Sequence, residues 1–309
     1  MNIVFFGSSG FAVVFLKALT DAGHKITAVV TQPDRQKGRR LVVSPTPVKE
    51  AALAAGLPVV QPRRGSEGGL AETLKAYSAD FFIVISYGEI LPREVLDVPR
   101  YASLNVHPSL LPAYRGAAPI NRALINGDTE TGVSVIKMND RMDAGDVVAQ
   151  EKAAITSVED AVSLEARLAS VGARILVKAM DDIKSGAAVF TPQDASRVTF
   201  APKLKKEEGL IDWRLPADDI RNLVRGTAPW PGAYTYLSKK KITIWKSAVS
   251  EGNGAPGEVA EAAGGSFAVG TGKGLLKIED IQIEGKKRMD AASFLRGARE
   301  VKAGTRLGE

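Results

Sequence analysis

The 309-residue sequence predicts an α/β chain: a Rossmann-like, mostly parallel sheet over residues 1–189, then a small OB-like β-barrel over residues 207–309. Two observations carry this expectation. Up to residue 189, short apolar runs alternate with stretches of helical periodicity, the pattern of right-handed βαβ units. After residue 206, short strand-like segments succeed one another, most of them separated by glycine-containing turns, the pattern of a small barrel. Residues 190–206 hold Pro192, Pro202, several polar side chains and little helical pattern, and read as a linker.

Taken in order, Asn2–Gly7 is a short apolar run closing on glycine, followed by a helix-like stretch over Phe11–Ala22. Lys25–Gln32 is β-branched and strand-like. Thr46–Ala55 and Gly69–Tyr77 read as helices, and Asp80–Ser86 (DFFIVIS) as a strand buried on both faces. Ala102–His107 continues the sheet, and Ala117–Asn126 follows as a helix. Gly132–Met138 and Val147–Ile155 alternate as half-buried strands do, and Ala161–Lys184 reads as one long amphipathic helix. Beyond the linker come a helix over Pro216–Arg225 and five strands, over Ala233–Leu237, Lys241–Val249, Gly257–Glu261, Ser266–Gly270 and Leu275–Ile283.

Composition removes whole classes of chemistry. With no cysteine there are no disulfides, thiolate metal sites or cysteine nucleophiles. The chain opens on a strand-like segment without the basic region, apolar run and cleavage site of a secretory signal, and holds no run of about 18 apolar residues. It reads as a cytoplasmic protein with no membrane partner, no implied protein partner and no metal, a monomer. Of the net charge of +6, residues 1–199 contribute +1 and residues 200–309 contribute +5. A basic face in the last third suits a phosphate-bearing partner.

Only two histidines occur, which narrows the search for acid–base chemistry. His24 lies in the polar turn Ala22-Gly23-His24-Lys25 and is expected at the surface. His107 ends a buried strand, where ligands of open α/β sheets bind. Asn105 projects to the same face, two residues away, and its amide suits a developing oxyanion. A third polar group should orient the imidazole or relay its proton. Asp140, Asp143 and Asp146 are the acidic candidates, and spacing does not choose among them. The stretch from Pro108 to Pro119 is a stiff loop with three prolines, and its Leu110 and Leu111 suit either packing on the sheet or the wall of a flat ligand. A dinucleotide site is poorly supported, because Gly7-Ser8-Ser9-Gly10 lacks the G-x-G-x-x-G pattern even though Asp34 follows the second strand.

Asn105-Val106-His107-Pro108-Ser109-Leu110-Leu111-Pro112, then Tyr114-Arg115-Gly116 and Pro119, resembles the signature of the folate-dependent formyltransferases. The resemblance implies that Asn105, His107 and Asp143 are the catalytic set, Asp143 lying in Met142-Asp143-Ala144-Gly145-Asp146. It implies 10-formyltetrahydrofolate as donor, held by Ser109, Leu110, Leu111 and Pro112 and by the pterin-pocket loop containing Tyr87, Gly88, Ile90 and Leu91. The family often has an apolar or small polar residue where this chain has Glu89, a side chain expected to point to solvent. Thr31-Gln32-Pro33-Asp34-Arg35-Gln36-Lys37-Gly38-Arg39-Arg40 resembles an insertion loop that grips the acceptor end of initiator tRNA, which implies Arg35, Lys37, Arg39 and Arg40 as RNA contacts. Its composition predicts no order in Pro33–Ser44 before RNA binds. Lys205–Trp213 and Arg225–Ala233 resemble the family's C-terminal, tRNA-binding domain. The implied acceptor is methionine on initiator tRNA; an amino sugar carried on a nucleotide is the alternative.

Overall fold

The computed structural model describes residues 1–37, 42–263 and 265–308. In chain order it begins β1 (Asn2–Gly7), α1 (Gly10–Asp21), β2 (Lys25–Val30), β3 (Arg35–Lys37), β4 (Val42–Ser44), α2 (Pro47–Ala54) and β5 (Val59–Val60). It continues α3 (Leu70–Lys75), β6 (Phe81–Ile85), α4 (Arg93–Leu96), β7 (Ala102–His107), α5 (Pro119–Ile125), β8 (Glu130–Lys137), β9 (Asp146–Ala154) and α6 (Ala161–Ser185). The last part holds α7 (Ala217–Gly226), β10 (Ala233–Leu237), β11 (Lys240–Ser250), β12 (Val259–Ala263), β13 (Ser266–Gly270), β14 (Leu275–Ile283), β15 (Met289–Asp290) and α8 (Ala291–Gly297).

Seven strands form one sheet in the order β5-β2-β1-β6-β7-β8-β9. Pairing is parallel from β5 through β7, while β8 and β9 run antiparallel as a hairpin-like edge. The chain leaves β1 toward β2 and later returns on its other side as β6, so the loops after β1 and β6 diverge at a switch point. Alternation sorts the side chains: Val4, Phe6, Ala28, Val30, Phe82 and Val84 share one core with α3 residues Leu70 and Leu74. On the opposite face α6 comes close at Gly172, where an added Cβ would sit 2.9 Å from Phe15 Cζ and 3.0 Å from Val106 Cγ1.

Helix starts follow local chemistry. The Ser9 hydroxyl accepts from the Ala12 amide to cap α1, and Thr46 caps α2 ahead of Pro47. The Gly7-Ser8-Ser9-Gly10 turn is therefore engaged by the protein itself, since Ser8 Oγ also donates to the Tyr87 carbonyl.

The described parts of Pro33–Ser44, residues 33–37 and 42–44, depart from expectation. Arg35, Gln36 and Lys37 pair with Ser44, Val43 and Val42 as an antiparallel hairpin. Its base is pinned by polar contacts: Lys49 Nζ meets Asp34 Oδ2 at 2.7 Å, and Gln61 Nε2 donates to Asp34 Oδ1 and to the Gln32 carbonyl, each at 2.9 Å. Backbone pairing and a half-buried ion pair order its two arms in the protein alone. Arg39 and Arg40 lie outside the described residues, as does the side chain of Lys37.

The last third is an antiparallel sheet in the order β10-β11-β14-β13-β12, with β15 on β14. Ile220 and Val224 of α7, Phe294 of α8 and Ile242, Val269, Leu276 and Ile278 of the strands share its core. The ladder runs from β10 at one end to β12 at the other, and among the described residues no pairing joins those two ends as a closed barrel would require. The helix α8 and the strand β15 were not foreseen.

Compactness divides the chain into two units that are not contiguous in sequence: Met1–Gly116, Glu130–Ala154 and Glu165–Ala201 form one, and Ala117–Thr129, Ile155–Leu164 and Pro202–Glu309 the other. The expected linker is thus split, with residues 190–201 built into the first unit. Thr191 exchanges two backbone bonds with Val147, at 2.8 and 2.9 Å, and Arg115 pairs with Thr199 and Ala201 at 2.9 and 2.7 Å. This segment holds only a short 3-10 turn over Ala195–Arg197, yet its polar groups bond to neighbouring loops. In the second unit, Arg122 of α5 forks onto Glu208 at 2.5 and 3.2 Å, and Asn121 donates to the Gly226 carbonyl at 2.7 Å.

Candidate active site

Strand β7 delivers Asn105 and His107 to its carboxyl end, two residues apart on one face. The following turn returns at once, because the Ser109 amide donates to the His107 carbonyl at 2.9 Å and Ser109 Oγ to the Ala113 carbonyl at 2.6 Å. Buried Ser134 of β8 then locks the loop. Its hydroxyl donates to the Ser109 carbonyl at 2.6 Å and accepts from the Leu111 amide at 3.0 Å and Gln150 Nε2 at 2.8 Å. All of that hydroxyl's capacity is used, so the loop has one conformation to choose.

This loop also sets the state of the imidazole. His107 Nε2 lies 2.8 Å from the Tyr114 carbonyl oxygen. A carbonyl only accepts, so Nε2 carries a proton, and in the neutral ring Nδ1 is the free base. Nδ1 faces Asp143 Oδ1 at 3.6 Å. The same carboxylate oxygen lies 3.5 Å from Asn105 Nδ2, while Oδ2 accepts from the Gly116 amide at 2.8 Å. Imidazole, amide and carboxylate therefore converge on one atom, with His107 at 6% and Asp143 at 14% side-chain exposure. Contacts of 3.5–3.6 Å lie at the edge of hydrogen bonding and leave room to tighten around a bound group.

Of the three candidate aspartates, Asp143 is the one brought to His107. Asp140 is exposed in the turn and Asp146 opens β9. Asp143 holds a left-handed backbone at φ +50°, sparsely populated for a non-glycine residue and a form of strain that clusters at functional sites. Gln193 was not foreseen here: its amide nitrogen donates to the carbonyls of Asp143 and Gly145 at 2.8 and 2.7 Å, and its oxygen accepts from Arg115 Nε and Nη2 at 3.1 and 2.7 Å. A lone glutamine between prolines gives no sequence signal of such a role.

The residues expected around the donor divide by exposure. Ser109 and Leu111 are buried, Leu110 and Pro112 half-buried, Gly88 exposed, and Ile90 presents an apolar side chain 70% exposed. The side chains of Tyr87 and Leu91 are buried in the core of the sheet. The Tyr87 ring stands edge-on to Phe6 with centroids 5.5 Å apart. Its phenol has no partner among the described residues, and burial, with the nearby charges of Glu89 and Glu67, pushes it up to about 12. These two residues have only backbone groups to offer a ligand. The Tyr87 carbonyl is itself taken, by Ser8 Oγ at 3.1 Å and Gln32 Nε2 at 2.9 Å. Gly88 sits at φ +83°, a left-handed backbone that favours glycine, and an added Cβ would fall 2.6 Å from Gln32 Nε2 and make that amide shift. Glu89 reaches toward the basic hairpin, 3.9 Å from Arg35 Nη2. No group of three or more His, Cys, Asp or Glu among the described residues is arranged to hold a metal ion.

Fold and site together define a group-transfer enzyme on a mostly parallel sheet. The model of the formyl transferase family matches residues 1–180, and that of the formyl transferase C-terminal domain matches residues 203–299. The chain belongs to the formyltransferase family. It is 45% identical over 307 residues to a methionyl-tRNA formyltransferase of Pelobacter propionicus, covering 99% of this chain and 96% of that one. Among solved structures, HypX from Aquifex aeolicus in complex with tetrahydrofolic acid is 20% identical with a TM-score of 0.69 and covers 98% of this chain, which spans about half of that protein's length. A methionyl-tRNA formyltransferase from Clostridium thermocellum is 14% identical with a TM-score of 0.57, covering 81% of this chain and 94% of that one. The last two likenesses bear on the fold.

Proposed function

We propose that this formyltransferase moves the formyl group of 10-formyltetrahydrofolate to the α-amino group of methionine carried on initiator tRNA, as a cytoplasmic monomer whose segment 1–189 performs the chemistry and whose segment 207–309 binds tRNA. The convergence of Asn105, His107 and Asp143 on one carboxylate oxygen carries the chemical half of this reading. Identity of 45% to a methionyl-tRNA formyltransferase along nearly the whole chain supports the acceptor.

The reaction asks three things of the protein. As the neutral amine attacks the formyl carbon, negative charge gathers on the formyl oxygen; the Asn105 amide is the donor available to it at once, and His107 Nδ1–H joins it after the imidazole has taken the amine's proton. The amine must lose a proton and the departing folate nitrogen must gain one. His107 Nδ1 is the nitrogen free for this transfer because Nε2 is tied to the Tyr114 carbonyl, and Asp143 stabilises the imidazolium that forms. The donor must also be oriented. Ile90, with Leu110 and Pro112 of the other loop, supplies apolar surface for its ring. Arg35 and its hairpin suit the phosphates of the acceptor end.

Purified protein given charged initiator tRNA and 10-formyltetrahydrofolate should release formylmethionyl-tRNA. Turnover with an amino sugar nucleotide, and none with the charged tRNA, would replace the acceptor while leaving the chemistry in place.

A further inference from the structure

Asp143 lies in a turn without regular structure of its own. Within it, Asn139 Nδ2 donates to the Ala144 carbonyl at 3.2 Å, and the Ala144 amide to the Arg141 carbonyl at 3.3 Å. Both bonds are long, only the Arg141 amide's bond to Asn139 Oδ1 is shorter, at 3.0 Å, and the Asp143 backbone is left-handed. A carboxylate on such a turn keeps its place only if something outside holds the turn. The shorter bonds to its carbonyls come from Gln193, fifty residues away in the segment that composition marks as a linker.

The amide of Gln193 is used completely. Both protons of Nε2 go to carbonyls of the aspartate turn, those of Asp143 and Gly145, and both acceptor positions of Oε1 take the Arg115 guanidinium. The donor side must face the carbonyls and the acceptor side the cation, so the network fixes the amide's orientation. Arg115 belongs to the loop that follows His107, between Tyr114, whose carbonyl holds the imidazole, and Gly116, whose amide holds Asp143 Oδ2. One side chain thus joins the two segments whose separation sets the 3.6 Å between His107 and Asp143. On the far side Gly145 closes the turn against β8, where an added Cβ would overlap the Lys137 carbonyl oxygen.

We propose that Gln193 is a positioning residue for formyl transfer, holding the Asp143 turn and the Arg115 loop in register so that the carboxylate faces His107 Nδ1. The inference rests on the role given to Asp143 above. Gln193 acts by placing that carboxylate against the loop of Arg115, and its own hydrogen bonds go to Asp143, Gly145 and Arg115, not to Asn105 or His107.

The test measures kcat and both KM values for Gln193→Ala and Gln193→Glu, each alone and combined with Asp143→Asn. Gln193→Glu keeps the size and the acceptor for Arg115 but loses the two donors, so it carries the test should Gln193→Ala fail to fold. Each single variant should lower kcat by about 10- to 100-fold, as expected of a catalytic group displaced by about an ångström, with both KM values nearly unchanged. In the Asp143→Asn background the same changes should cost almost nothing further, because residues acting as one unit are non-additive. Wild-type kcat in both single variants, beside a slow Asp143→Asn, would overturn the positioning role and leave the reading of Asp143 standing. An equal loss in the presence and absence of the carboxylate would overturn it too, marking Gln193 as structural. If Asp143→Asn itself turns over at the wild-type rate, the reading of Asp143 fails and this inference fails with it.

Discussion

The end of β7 and the basic hairpin hold their functional groups by opposite means. At β7 the groups sit nearly out of solvent, and every neighbour is fixed by a bonded partner: Ser134 saturates the loop, the Tyr114 carbonyl sets the tautomer, and Gly116 and Gln193 grip the aspartate turn. The hairpin is three residues paired with three, and Arg35 is exposed at its start. Its base is held where Asp34, Lys49 and Gln61 meet. Chemistry at one atom requires preorganisation, whereas a cation seeking phosphates needs reach more than precision.

The contrast sharpens under substitution. Asp143→Asn keeps the shape but removes the charge beside the imidazole, and should lower kcat by about 10²-fold or more with little change in tRNA affinity. Arg35→Ala should act the other way. It should raise KM for charged tRNA by about tenfold or less, leave donor KM unchanged and flatten the salt dependence of binding by about one phosphate contact. Lys49→Met, which frees the hairpin base, should give a smaller rise in the same tRNA KM, measured in the same assay. A large fall in kcat from either hairpin change at saturating tRNA would erase the distinction between the two regions.

Much of this was legible in the sequence, and the reasons for success and failure are physical. The strands β1, β7, β10, β13 and β14 fall on the residues that alternation and β-branching mark. Asn105 and His107 stood out because a polar pair at the end of a buried strand has few uses. The helices end a residue or two from expectation because caps such as Thr46 decide their limits. Choosing among Asp140, Asp143 and Asp146 depends on which side of a turn faces inward, which spacing does not encode. Residues 190–201 look alike to composition whether their polar groups meet water or a neighbouring loop. His24 likewise reads as a surface turn residue, but its Nε2 is buried with no partner among the described residues, and burial lowers its pKa.

The central claim is that the imidazole on β7 takes part in the chemistry through Nδ1. Turnover of His107→Ala with both substrates saturating, on protein whose circular dichroism matches the wild type, tests it most directly. A loss of about 10²–10⁴ in kcat is expected from removing a general acid–base group and oxyanion donor together. Turnover within a few-fold of wild type would contradict it.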